Sequence, residues 1–245
     1  MIRNDSIHAF APPGPCEYLP GETWRMEYEF APFLTKAAYS QRLLEGWRRF
    51  GDTMFRPRCR ACAECRSLRV IVDRFQPNRS QRRAYNKNAD STRISIGEPR
   101  IDATRFELYR RFHANRELSR GWRASSGTPE SEVESYISTF VDNPFPTMEW
   151  KYESDGRLVG VGFVDDLPIG LSAIYFMHDP DCLDRSLGTW NVLCLIEEAR
   201  RRGLPHVYLG YHVAGCRSLE YKARFRPHEL LDAEGVWREP VMPGS

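Results

Sequence analysis

The segment "TMEWKYESDGRLVGVGFVDD", residues 147–166, limits the architecture more than any other stretch of this chain. Its two runs alternate apolar and polar residues, as strands with one buried face must. Asp155-Gly156 between them tolerates the positive φ angles of a two-residue hairpin turn. "LSAIYFMHD" (171–179) follows the Pro168/Gly170 turn as a third strand. "SLGTWNVLCLIEEARRRG" (186–203) then shows helical periodicity with Gly203 as its stop, and "LPHVYLGYH" (204–212) suits a short buried strand. A β-β-β-α-β order with antiparallel beginnings and a late crossover predicts the α+β class.

The front half has another texture. Residues 1–23 are rich in Pro and Gly and predict an irregular lead-in around Cys16. Ala38, Leu43, Leu44 and Trp47 predict a helix over 34–49, with Gly51 placed to end it. "SLRVIVDRF" (67–75) reads as a strand, "NRSQRRAYNKNAD" (78–90) as a basic helix after Pro77, and "FELYRRFHANRE" (106–117) as a further helix. Thr128-Pro129-Glu130 supplies a cap, a first-turn proline and an acidic start for the helix "ESEVESYISTFV" (130–141). This division predicts a cysteine-containing basic subdomain over 1–100 and a second domain over 101–245.

Charge follows the same division. Of the 245 residues, the first hundred hold 18 Lys/Arg against 11 Asp/Glu, a surplus of seven; the net charge of +2 therefore leaves a deficit of five for the rest. A polyanionic partner on the front half fits that asymmetry, as does a plain solvated face. With 41% hydrophobic and 28% charged residues, the composition is that of an ordinary globular protein. No apolar run approaches the roughly 18 residues of a membrane span, and no secretory h-region is visible, so a cytoplasmic address is expected. On the helix over 78–90, Arg79, Arg82, Arg83 and Lys87 share one face suited to a nucleic-acid backbone.

In "RPRCRACAECRSLRV" (56–70), Cys59, Cys62 and Cys65 recur every third residue. Turns between them can aim successive sulfurs at one ion, a spacing shared with cluster-binding proteins, although the usual nearby fourth cysteine is missing. Cys16, in its own turn-rich segment, is the candidate fourth ligand for zinc or an iron–sulfur cluster. Three reduced, partly buried thiols are the plainer reading. Cys182, Cys194 and Cys216 have no ligand spacing, and Cys194 lies on an apolar helix face.

Read in order, "CEYLPG", "LLEGWRRFGDTMFRPRCRACAECRSLRV", "FQPNRSQRRAYNKN", "DDLPIGLSAIYFMHDPD" and "RSLGTWNVLCLIEEARRRGLPHVYLGYHVAGCRSLEYKARFRPHELL" resemble the protein aminoacyltransferases, most closely their bacterial leucyl-transferring branch, over about Cys16 to Leu231. The resemblance implies a GNAT-like acyltransferase domain packed beside the cysteine-bearing part. It implies aminoacyl-tRNA (leucyl-tRNA) as donor and proteins with N-terminal Asp or Glu as acceptors, the product being marked for N-degron proteolysis. Arginyl transfer and acetyl-CoA-dependent N-acetylation stand as alternatives, as does a non-catalytic RNA-binding module; oligomeric state is open.

An aminoacyl ester is already activated, so positioning can replace a strong base. Asp165 and Asp166 are candidates to orient the incoming amine or take its proton. Tyr175 is a candidate donor to the leaving ribose oxygen, with Tyr211 and Tyr221 as substrate contacts. An acidic acceptor needs a cation, for which Arg185, Lys222 and Arg224 are candidates. Ser186, Gly188 and Thr189 sit where a pyrophosphate loop would lie, but one glycine is too few for that role, and no coenzyme A is expected. His178 and His212 rank below the aspartates as bases.

Overall fold

The computed structural model describes residues 7–120 and 127–241. The first six residues of the expected lead-in lie outside them.

The front of the chain is more ordered than its Pro/Gly content suggests. β1 (Ile7–Phe10), β4 (Met26–Phe30), β5 (Arg48–Phe50) and β6 (Thr53–Pro57) form a four-stranded sheet in the order β1-β4-β6-β5, while β2 (Gly14–Pro15) pairs with β3 (Thr23–Trp24). The lead-in is therefore partly strand. Its backbone groups find partners on β4, with Ile7 opposite Phe30 and Phe10 opposite Glu27.

The helix expected over 34–49 is shorter. α1 spans Lys36–Leu44, and Gly46 at φ +86° closes it: the Gly46 amide donates to the Leu43 carbonyl and the Trp47 amide to Arg42. This paired closure ends the helix at Leu44, seven residues before Gly51. Trp47-Arg48-Arg49 are thereby released to lead into β5, and Gly51 sits instead in the turn to β6.

The large sheet has eight strands in the order β14-β13-β7-β12-β11-β10-β9-β8. They are β7 (Arg66–Ile71), β8 (Arg93–Gly97), β9 (Thr147–Ser154), β10 (Arg157–Leu167), β11 (Gly170–His178), β12 (His206–His212), β13 (His228–Leu231) and β14 (Trp237–Arg238). Strands from both sides of residue 100 enter it. The expected β9–β10 hairpin forms, with Asp155 at φ +51° and Gly156 at φ +73° as its turn requires. Every neighbouring pair runs antiparallel except β11 and β12, which are joined by the crossover helix α5 (Leu187–Arg201).

Helices cover both faces. α5 buries Trp190, Leu193, Leu195 and Ile196 in the main core, which includes Val70, Trp150, Leu171 and Val207; α2 (Arg79–Asn88) packs outside it through Tyr85 against Trp190. Gly162 of β10 lies against Asn191 of α5, so its neighbours Val161 and Phe163 must point the other way. There they meet α3 (Ala103–Arg120) and α4 (Pro129–Tyr136) in a second core with Leu108, Phe112, Tyr136 and Phe140. A third cluster, around Tyr39, Trp47, Phe145 and Tyr208, joins the small sheet to the large one.

Candidate active site

The parallel pair β11–β12 is laddered only at Leu171 opposite Val207 and Ser172 opposite Tyr208. Beyond those residues β11 continues to His178 and β12 to His212 without pairing to each other, so a wedge opens between them. Strand carbonyls at a parting lose their ladder partners and need other donors. Arg48, from β5, donates to the Ala173 carbonyl and, at 3.2 Å, to Ser172 Oγ. On the other lip, Lys222 Nζ donates to the Tyr211 carbonyl at 2.8 Å. Lys222 belongs to a short 3₁₀ turn, Glu220–Arg224. Burial, reinforced by Arg48, brings its ammonium pKa down to about 7. Arg48 was missed in the sequence because it was read as the tail of a helix.

Tyr175 stands on the parted length of β11, its hydroxyl 2.9 Å from Nε2 of His113 on α3. Burial pushes the Tyr175 phenol up and the His113 imidazolium down, so a neutral phenol and a neutral imidazole face each other at physiological pH. Tyr221 is 36% exposed beside Lys222. Tyr211 is committed elsewhere: its buried hydroxyl lies 3.0 Å from the Gly46 carbonyl and 3.1 Å from that of Phe55, fastening β12 to the small sheet. His178 is buried, with Nε2 3.4 Å from Arg116; His212 ends β12.

The two aspartates separate. Asp165 is fully buried, and Arg49 grips both its oxygens at 2.9 and 2.6 Å while Thr147 Oγ1 donates at 2.7 Å. It is thus an anchor between the small and large sheets rather than the open carboxylate the sequence suggested. Asp166 pairs with Arg202 at 2.7 Å and Lys36 at 3.5 Å.

Arg185 is likewise occupied, donating to Asn88 Oδ1, Ser91 Oγ and Thr92 Oγ1 at 3.1, 2.8 and 2.8 Å, so it ties the α5 approach to the end of α2. Ser186 sits at φ +55° and makes no side-chain cap; its carbonyl receives the amides of Thr189 and Trp190. Gly188 has open space where a side chain would stand.

α2 begins with a reciprocal cap: Asn78 Oδ1 receives the Ser80 and Gln81 amides, and Gln81 Oε1 receives the Asn78 amide. Burying Gln81, Ala84 and Asn88 turns Arg79, Arg82, Arg83 and Lys87 outward. Lys87 pairs with Asp184 at 2.6 Å, and Arg82 donates back to the Pro77 carbonyl. Arg79 and Arg83, four residues apart, make no ion pair among the described residues and form an open cationic edge.

The cysteine loop joins β6 to β7. Arg66 of β7 lies opposite His212 of β12, which brings Cys65 toward Cys216 beyond the end of β12. The Cys65 thiol is pushed up to about 12, by burial first and then by the nearby sulfurs of Cys59, Cys16, Cys62 and Cys216. The Arg25 amide donates to Cys59 Sγ at 3.4 Å. The expected four thiols are therefore gathered in one region with the soft-donor chemistry of a zinc or iron–sulfur site. As placed, however, no three His, Cys, Asp or Glu side chains among the described residues close round an ion. No helix among the described residues is long and apolar enough to cross a membrane.

Two family models match the chain: the arginine-tRNA-protein transferase N terminus over residues 14–83 and the C terminus of the same family over 104–232. The chain belongs to the arginine-tRNA-protein transferase family. In this transferase the N-terminal match carries the thiols, Arg48 and most of the α2 cations, and the C-terminal match carries Tyr175, Gly210 and Lys222; the wedge is built from both. The chain is 40% identical over 229 residues to the aspartate/glutamate leucyltransferase of Marinobacter nauticus, covering 93% of each. It is 37% identical to that of Halorhodospira halophila, covering 91% of this chain and 92% of the relative, and 34% identical to that of Campylobacter jejuni strain 81-176, covering 88% and 89%. Among solved structures, L-PGS from Bacillus licheniformis overlaps at TM-score 0.45 and 15% identity, over 71% of this transferase and 58% of that chain, too slight a likeness to argue from.

Proposed function

We propose that this transferase moves leucine from leucyl-tRNA to the α-amine of proteins that begin with Asp or Glu, and so marks them for N-degron proteolysis. The likeness to aspartate/glutamate leucyltransferases along nearly the whole of both chains carries this reading. The acceptor nitrogen attacks the ester carbonyl, the bond from that carbon to the ribose oxygen breaks, and the amine's proton ends on the departing oxygen. An α-amine with a pKa of about 7.7–8.0 is partly neutral at physiological pH, so holding it against the ester supplies much of the rate. Tyr175, protonated and backed by His113, is suited to protonate the leaving oxygen. Arg79 and Arg83 are suited to the tRNA backbone.

The two parallel strands that separate, with α5 crossing between them, support a GNAT-like reading of the catalytic part. A zinc ion or iron–sulfur cluster would be held by Cys16, Cys59, Cys62 and Cys65, where it would tie the lead-in to the loop before β7; no chemical step is routed through it.

The test offers the purified protein leucyl- or arginyl-tRNA carrying labelled amino acid, with peptides differing only in a first residue of Asp, Glu, Asn or Gln. Label passing from leucyl-tRNA to the Asp and Glu peptides is expected. Label that stays on the nucleic acid, or passes only from arginyl-tRNA, overturns the reading.

A further inference from the structure

Arg48 is 6% exposed, yet neither it nor Lys222 makes an ion pair with any carboxylate among the described residues. A buried cation without a counter-charge is costly, and folded proteins normally place an acid beside it. The next residue follows that rule, since Arg49 has Asp165. Arg48 breaks it, and does so where a second cation converges.

Gly210 shows how close that convergence is. It sits at φ +78° at the β12 bulge, and a Cβ placed on it would lie 3.5 Å from Arg48 Nε and 3.6 Å from Lys222 Nζ. The two nitrogens thus approach one small space that glycine leaves open. Arg48 Nε makes no hydrogen bond among the described residues, because the guanidinium spends its other nitrogens on Ser172 and Ala173. Lys222 spends one of three donors on the Tyr211 carbonyl. What remains are two charged donors beside the same glycine, where a carboxylate oxygen could take charge-assisted bonds of about 2.7–2.9 Å from both.

We infer that Arg48 and Lys222, meeting over Gly210 at the parting of β11 and β12, form the pocket for the side-chain carboxylate of the acceptor's first residue. The inference rests on the proposed leucyl transfer and names the part of the site that sets its preference for an acidic N-terminus. Arg185 and Arg224 are not needed: the first is bound to α2, and the second is exposed. An RNA phosphate shares the chemistry of a carboxylate, so the test must separate peptide from tRNA.

Peptides beginning with Asp or Asn are nearly the same size and differ in charge. Their kcat/KM values and their binding, titrated without tRNA, are measured for the unaltered protein, Lys222→Met and Lys222→Arg. The unaltered protein should favour Asp by about tenfold or more. Lys222→Met should lose most of that preference through the peptide KM, with the leucyl-tRNA KM unchanged, and Lys222→Arg should keep it. A Lys222→Met protein that still prefers Asp as strongly, or whose defect lies in the tRNA KM, overturns the inference while leaving leucyl transfer intact. If Lys222→Met does not fold, Lys222→Gln, which keeps a polar head without the charge, should selectively weaken Asp-peptide binding; equal weakening of Asp and Asn peptides overturns the inference. Charge-selective peptide binding that depends on Lys222, in a protein that transfers no leucine, would uphold the pocket and sink the transfer reading.

Discussion

Arg48 and Lys222 approach each other across Gly210, each holding a carbonyl from a different one of two strands that have parted. The same two side chains close the ends of an interrupted ladder and leave positive charge at its mouth.

The preference for an acidic acceptor should depend on pH. Arg48, Cys216 and His212 are the charged or titratable groups acting on Lys222, whose pKa is about 7. Because the value is depressed, the ammonium is present below pH 7 and is lost as pH rises through it. The Asp-to-Asn ratio of kcat/KM should therefore fall between about pH 6 and about pH 9. Taking the ratio cancels the α-amine, which must lose its own proton in both peptides.

Removing the anchor between the sheets should cost stability rather than recognition. Arg49→Ala leaves Asp165 buried without its partner, so urea unfolding should show a loss of about 3–5 kcal/mol. Arg49→Ala with Asp165→Ala should lose less than the two single changes combined, because neither charge is then stranded.

Charge on α2 should be read by the donor alone. Arg79→Ala and Arg83→Ala should raise the leucyl-tRNA KM and make its logarithmic dependence on salt shallower by about one for each contact removed, with the peptide KM unchanged.

Tyr175→Phe should lower kcat by about a hundredfold if the phenol protonates the leaving oxygen, with both KM values nearly unchanged. His113→Ala should reproduce part of that loss. A Tyr175→Phe enzyme with full kcat would assign the hydroxyl to packing against α3.

Local features of the fold were legible where the chain punctuates itself. Asp155-Gly156, Thr128-Pro129 and Gly203 each produced the turn, cap or stop that their chemistry predicts. The helix over 34–49 failed because Trp47, Arg48 and Arg49 continue an acceptable helical pattern, and only the backbone closure at Gly46 turns them into a strand. That error concealed Arg48. Asp165 misled for a related reason: its partner Arg49 is 116 positions away, and a buried pair cannot be told from an open carboxylate by spacing. Lys222 and Tyr175 are candidates in the sequence and lie at the wedge, whereas the contact of Arg48 with Ser172 spans 124 positions and leaves no local trace.

The turn at Gly46 also governs handedness of function. Arg48 and Arg49 are consecutive on β5, so the pleat sends one to the wedge and the other to Asp165. A one-residue slip of β5 against β6 would exchange their directions, setting Arg48 toward Asp165 and Arg49 away from it. Loop length here is accordingly a determinant of which arginine meets the substrate, and variation in it should be tolerated less than at an ordinary surface turn.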